Sequence, residues 1–504
     1  MKKLAAALIL AILCLASLPA CTAGKSGGDA SPSQDQPICI GVTSIVRAMD
    51  PTDSGVPWSL TSHGISEKLY TQNEKGELVS RFVEHLEQKD ALVWEMTLKE
   101  GMKFSDGSEV DAEAVAACMN EIMQNNGMAT ASAGVITFAP TAPYHLTLTT
   151  ERETKLMPSV LCEWTNILYK DLGDGTYAFT GPYMVKHLDV GVSLEMTPNP
   201  YYDDRAGERS DVKLLVFQDP SAMQQAFEGG EIDMAFTVTP EAAQALEQKG
   251  LTVKSIDAGY QYFGIVNQQQ SPLDDPDVRR AVNLALDRED MVAALKGGRT
   301  ATGLFAHYYP FAGTCQVVCR SDEAAALLDR CGWTKNSDGI REKDGMKLSL
   351  SLVTYASRPD LTVLMQLAAS DLNDLGIDVS TAIVDNIDAV AKAGDYDIMF
   401  YAQHSAPTGE PAYFLNQFLR SGQGKNNNGY HSQAVDDLLD QMGSLEPGDQ
   451  RNALARQVQD IVFEDLPILY LVDPQWHIAV SDRLADYQPY CGDYFVVNDT
   501  LGLG

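Results

Sequence analysis

Basic residues are scarce in this chain. Lys and Arg number 37 against 69 Asp and Glu, which leaves a formal charge of −32 over 504 residues. A phosphate backbone needs a basic footprint, so the imbalance argues against a nucleic-acid partner. Beyond residue 37 there is no GxSxG elbow, no HExxH and no P-loop, so the chain carries no local signature of a secreted hydrolase. The eight histidines (His63, His85, His145, His187, His307, His404, His431 and His477) are scattered, with no pair at helical ligand spacing. Cysteine is also sparse. Beyond Cys14 and Cys21 there are Cys39, Cys118, Cys162, Cys315, Cys319, Cys331 and Cys491, an odd set that cannot pair completely. Cys118, on an apolar helix face, and Cys331, in "LLDRCGW", read as small buried hydrophobes. Cys315 and Cys319, in "GTCQVVCR", are the pair expected to bridge. No Cys/His set has zinc spacing. Neither a cofactor nor catalysis is indicated.

Long apolar runs are absent too, except at the start. Met1-Lys2-Lys3 precedes "LAAALILAILCLASLPA", which stops at Cys21. The run is short for a membrane span and has the flanks of a signal peptide over residues 1–20. "LPAC" resembles a bacterial lipobox, in which Cys21 becomes the lipidated first residue. Residues 21–37, rich in Gly, Ser, Pro and Gln, read as a flexible tether to a membrane surface. A lipoprotein's two glyceride chains hold such a tether better than one chain would. These features place the protein lipid-anchored on the extracytoplasmic side of the cell membrane.

From residue 38 strand-like and helix-like segments alternate, which predicts an α/β fold. "ICIGVTSI", "ALVWEMTL", "HLTLTT", "DVKLLVFQD" and "MAFTVT" read as strands, and "GDGTYAFTGPYMVKHLDVGVSLEMTPN" as a meander. "SHGISEKLYTQ" is expected to be helical, and "ILYLVDPQWHIAVSD" to be one strand before a short tail. The acids of "LKEGMKFSDGSEVDAEAVAACM" raise the question of a metal loop. Asp106, Glu109, Asp111 and Glu113 lack the alternate ligand positions of a calcium loop. They fit a turn at Asp106-Gly107, an N-cap at Asp111 and a helix whose apolar stripe is Val115, Cys118, Met119 and Ile122.

That same segment is similar to "tyTFxLRxGvkFhdGxpxxAedV" of the peptide/nickel-binding family (family 5) of extracytoplasmic solute-binding proteins. Further landmarks follow in family order. "TGPYMV" resembles the family's GTGPY. "PNPYYDD" and "FEGGEIDMAF" resemble xNpxYw and lxxGeiD. "DPDVRRAVNLALDREDMV" resembles VRxAlxxAiDrxxi. "LLDRCGWTKNSDGIREKDG" resembles LLxxAGWxxxxGiRxkdG, with Cys331 in place of Ala. "YDIMFYAQHSAPTGEPAYFL" fills the place of YDxxxxxWxxxxxDPxxfL.

The resemblance implies a two-lobed periplasmic-binding-protein fold, with an extra subdomain in lobe one and two crossing strands at the hinge. Lobe one is expected over 38–265 with an insertion near 80–190, lobe two over 266–472, and a return to lobe one over 473–504. It also implies a monomer that closes on a ligand and docks on the permease subunits of an ABC importer. A receptor using the same fold without transport is an alternative. Because most of the family handles peptides, an oligopeptide or dipeptide ranks first, and a nickel or other metal chelate second. The Asp that often anchors a peptide's amino group is replaced by Pro407. Glu410 either stands in for it or caps the helix that follows. His404 occupies the place of a pocket Trp, where it would coordinate a metal, bond a carboxylate or simply fill space. Glu163, near the family's carboxylate-binding Arg, would favour a cationic group. Trp58, Trp164, Tyr401, Tyr413 and Tyr494 are further candidates for the wall. Asn267, in "FGIVNQ", is expected to support the backbone near the hinge.

Overall fold

The computed structural model describes residues 36–53, 55–73 and 75–503. The expected signal peptide, Cys21 and most of the tether lie outside the described residues. Among the described residues no helix is long and apolar enough to cross a membrane.

Two mixed sheets form the body. The first has seven strands, in the order Tyr183–Asp189, Ser193–Pro198, Val212–Val216, Ile38–Val42, Met234–Val238, Gln475–Val480, Thr252–Asp257. Ile38–Val42 runs parallel to both of its neighbours. The second has six, in the order Arg299–Thr300, Ile468–Asp473, Tyr260–Val266, Ile398–His404, Ser349–Tyr355, Asp378–Val384. Ser349–Tyr355 is parallel to Asp378–Val384 and Ile398–His404, and the helices Pro359–Leu375 and Ile387–Ala393 make the crossovers. Every residue of Tyr260–Val266 is buried, as expected for a strand covered on both faces.

The chain changes sheet twice. Asp257 ends a strand of the first sheet and Tyr260 begins one of the second, so the crossing is Ala258-Gly259. That is some residues earlier than the 265/266 boundary expected from sequence, because Tyr260–Val266 pairs wholly with Ile398–His404 and Ile468–Asp473. A Cβ at Gly259 would lie 2.5 Å from His404 Nε2, so the crossing needs glycine. The second crossing corrects another expectation. "ILYLVDPQWHIAVSD" is not one strand: Ile468–Asp473 and Gln475–Val480 belong to different sheets, with Pro474 between them. Proline lacks the N–H that a continuous ladder would use.

The extra subdomain is a four-stranded antiparallel sheet, Val83–Asp90, Val93–Leu98, His145–Thr150 and Ile136–Ala142, with the helix Ala112–Asn125 packed on it. The acids that open this helix have structural work. Asp106 Oδ1 accepts from Ser108 N at 2.9 Å around Gly107, whose φ is +84°, and Asp111 Oδ1 accepts from Ala114 N at 2.9 Å. Glu109 accepts from Tyr144 Oη at 2.8 Å, and Glu113 stands in the first turn. Val115, Cys118, Met119 and Ile122 are all buried. Asp111→Ala should therefore cost about 1 kcal/mol of stability, read as a lower urea midpoint with unchanged slope.

Two further expectations are corrected. The helix near residue 60 is Val56–Ser62, and "SHGISEKLYTQ" follows it as extended chain and turns. Gly64, at φ +68°, ends the helix, and the N–H groups of Ile65 and Ser66 both return to Leu60 O. Cys315 and Cys319 are not bridged. The Cys315 thiol faces Asp460 Oδ1 at 3.7 Å and the Cys319 thiol faces Ala285 O at 3.5 Å, so each has its own acceptor. Asn267 supports the backbone as expected, donating to Gly394 O and Tyr396 O at 3.2 and 3.0 Å.

Candidate functional site

The lobes meet in this structure. Thr43 Oγ1 donates to Ser357 O at 3.1 Å, Ser159 Oγ to Thr408 Oγ1 at 2.9 Å, and Lys155 N to Gly443 O at 3.0 Å. Between the lobes lies a cleft of about 330 Å³. Its wall is built from segments that follow strand ends: Ser44, Ile45 and Arg47 after Ile38–Val42, Ser357 and Arg358 after Ser349–Tyr355, and Asp385 to Asp388 after Asp378–Val384. Open α/β sheets place ligands at such carboxyl ends, where backbone groups and loops converge. The rings of Trp58, Trp164, Tyr260, Tyr355, Tyr401 and Tyr494 complete the wall. The buried Trp58 indole N–H has no acceptor among the described residues.

Charge is held at two places. Arg358 is ion-paired with Asp493, and the Tyr260 hydroxyl donates to the other oxygen of that carboxylate. The guanidinium also lies over the rings of Trp476 and Tyr260, 4.8 and 5.2 Å from their centroids. Burial opposes the Arg358 charge, but Asp493 and the surrounding tyrosines hold its pKa well above the ordinary arginine value. At the second place the Lys425 ammonium donates to the Tyr401 hydroxyl and lies 3.5 Å from Asp388.

Four of the eight wall candidates line this cleft: Trp58, Trp164, Tyr401 and Tyr494. The other four do not. His404 sits just behind the wall, 1% exposed, with its ring edge-on to Tyr260 and Tyr494 at 5.5 Å each. Burial, aided by nearby Lys68, pushes its pKa down to about 3. The imidazole is thus neutral but screened from the cleft by rings. Glu163 and Tyr413 line a second cavity of about 460 Å³, between the subdomain side and lobe two. The Tyr413 hydroxyl accepts from Gln403 Nε2 at 3.3 Å. The Glu163 carboxyl accepts from the Ser132 hydroxyl, and burial pushes its pKa up to about 8. Glu410 neither caps a helix nor meets the cleft. Its carboxylate accepts from Arg451 Nε at 3.0 Å, and the helix Ala412–Phe418 has no side-chain cap.

The sign of the His404 shift gives a pH prediction. The folded state binds a proton at His404 less readily than an ordinary histidine at about 6.5, so stability is full above that value and falls as pH drops toward 3. His63, pushed down to about 4 by burial, adds in the same direction. His404→Phe should reduce the acid slope of unfolding free energy by about 1.4 kcal/mol per pH unit within this window, read from urea titrations at several pH values.

Several cleft residues escaped sequence reasoning: Arg47, Arg358, Asp385, Asp388 and Lys425 belong to no motif. The usable signal was position, since four of the five, Arg47, Arg358, Asp385 and Asp388, lie in segments that follow strand ends.

Comparison with known proteins agrees with this geometry. A family model described as bacterial extracellular solute-binding proteins, family 5, middle, matches residues 77–426. The nickel-binding protein NikA of Staphylococcus aureus is 21% identical over 92% of this chain and 93% of its own. The probable D,D-dipeptide-binding periplasmic protein DdpA of Escherichia coli is 25% identical over 92% and 93%. Among solved structures, S. aureus NikA in complex with Ni(L-His)2 superposes with TM-score 0.83 at 20% identity, covering 92% of this chain and 98% of that one. Bacillus subtilis AppA, in complex with a nonapeptide, gives TM-score 0.76 at 20% identity over 92% and 98%. With two lobes, an extra subdomain, two crossings and a family match over most of its length, the chain belongs to the family 5 bacterial extracellular solute-binding proteins.

Proposed function

We propose that the chain captures a short zwitterionic peptide, of about two residues, between its lobes and delivers it to the permease of an ABC importer. The observation that carries this reading is the cleft itself. About 330 Å³ is at the low end for small-molecule sites, which suits a dipeptide better than an oligopeptide. Its aromatic wall presents cations at Arg47, Arg358 and Lys425 and anions at Asp385 and Asp388. Asp385 and Asp388 take over the amine-binding role that Pro407 cannot perform. Closure turns about Ala258-Gly259 and Pro474, the ligand favouring the closed form by its extra contacts there. Residues 1–20 are removed, Cys21 carries the lipid, and residues 21–37 tether a monomer outside the cell membrane. The protein releases its ligand unchanged.

A metal chelate is the second reading, favoured by the extent of the likeness to S. aureus NikA. Among the described residues no histidine or cysteine lines the cleft, so a metal would arrive with its own ligands. Native mass spectrometry of the purified protein separates the two. A bound mass matching dipeptides, released on denaturation, supports the first reading. A nickel isotope pattern establishes the second, and a bound non-peptide organic molecule overturns both.

A further inference from the structure

We propose that a third cavity, lying wholly on lobe one, is a separate site for a small organic monocarboxylate, with Lys68 as its anchor. This cavity, of about 340 Å³, is lined by Thr61, Lys68, Gln72, Arg81, Phe495 and Asp499 among others, and shares no lining residue with the interlobe cleft. Lys68 is 3% exposed. Its ammonium lies over the rings of Phe495 and Tyr494, 5.5 and 5.9 Å from their centroids, and among the described residues no carboxylate or carbonyl accepts from it. Ring faces restore only part of the hydration that a buried ammonium gives up, so the arrangement lacks an anion.

The rest of the wall has the same bias. Arg81 donates through Nε to Glu67 at 3.0 Å and through one terminal nitrogen to Tyr202 O, while its other terminal nitrogen, enclosed in the protein, has no acceptor among the described residues. The enclosed Thr61 hydroxyl also has no partner among the described residues. Glu67, the acid within the wall, is already engaged by Arg81 and by the Tyr202 hydroxyl at 2.7 Å. Lys68 is therefore the cation of this wall that no acid engages among the described residues, and a ligand must bring the acceptor. Asp499 at the rim disfavours a dianion such as phosphate. Tyr490 and Phe495, stacked with centroids 4.9 Å apart, give an apolar surface for an organic body.

The test is thermal unfolding and titration calorimetry of the full chain in sodium butyrate, sodium benzoate, sodium phosphate or sodium chloride at equal ionic strength. Butyrate or benzoate should raise the unfolding temperature above the chloride value and titrate to one site. Lys68→Met should weaken that binding at least tenfold. Lys425→Met, which removes a cleft cation, should leave it within twofold. The proposal is overturned if no carboxylate raises the unfolding temperature of the wild type, or if phosphate binds as tightly as butyrate. It is equally overturned if Lys425→Met abolishes the effect and Lys68→Met does not, which would place the anion in the cleft. Should Lys68→Met not fold, Lys68→Arg keeps the charge and must retain carboxylate binding.

Discussion

Replacing Asp493 with alanine should weaken ligand binding on the order of a hundredfold while leaving the ligand-free protein nearly as stable as before. The carboxylate belongs to the returning segment of lobe one, held there by the Ser62 hydroxyl donating to Asp493 O at 2.6 Å. Its partner Arg358 belongs to lobe two, and Tyr260, which donates to the same carboxylate, stands just past the first crossing. The Arg358–Asp493 pair therefore spans the two lobes at the cleft. Removing one partner of a buried, hydrogen-bonded charge pair costs about 2–5 kcal/mol, much of it from the charge left behind. In the open form Arg358 regains water, so the cost falls on closure rather than on folding. A loss of about 2–3 kcal/mol in closure is on the order of a hundredfold in affinity. Titration calorimetry with a dipeptide checks it, with a urea midpoint of the free protein alongside. An affinity within twofold of wild type would show that the pair takes no part in closure.

Gly181→Ala should have the largest effect on folding, about 3 kcal/mol or more of lost stability or no soluble protein. A Cβ at Gly181 would lie 2.3 Å from Gly64 O and 2.5 Å from the Ile65 carbonyl carbon, and backbone cannot swing away as a side chain can. The close approach is needed because Gly181 N donates to Ile65 O at 2.9 Å and Tyr183 N donates to Gly64 O at 3.0 Å. Asn199 then closes the arrangement, donating through Nδ2 to Gly181 O at 2.9 Å. Urea unfolding of the variant measures the loss, and a midpoint equal to wild type would mean that the 64–65 segment yields.

The same contacts explain which parts of the protein were legible. The "TGPY" and "NPYY" segments meet at Gly181 and Asn199, so two family landmarks are one packing device. Arg288, in "LDRED", donates to Leu286 O at 2.9 Å and to Tyr470 O at 3.1 Å. Arg341, in "GIREKDG", donates to Leu375 O at 2.9 Å and pairs with Asp329 at 2.6 Å. The landmarks are thus residues that satisfy buried backbone, and reading them reveals fold and family. The residues to which the proposed function assigns ligand recognition, Arg358, Asp385, Asp388 and Lys425, belong to no motif and are brought together only around the cleft. His404 and Glu410 misled for the opposite reason. Each sits in a landmark that the family resemblance ties to the ligand, yet rings enclose His404 and Arg451 holds Glu410. Tyr260–Val266 is buried along its whole length, so it shows no inside–outside alternation that could announce which sheet it would join.

On the proposed function, a small cleft of mixed charge closes on a dipeptide-sized zwitterion. The most direct measurement is titration calorimetry of the ligand-stripped protein with a dipeptide, a nonapeptide and Ni(L-His)2. The dipeptide should bind saturably and one-to-one, with a negative heat-capacity change from buried apolar surface, and the nonapeptide should show no measurable binding. Tight binding of the nonapeptide or of the nickel complex, with none of the dipeptide, would contradict the proposed function.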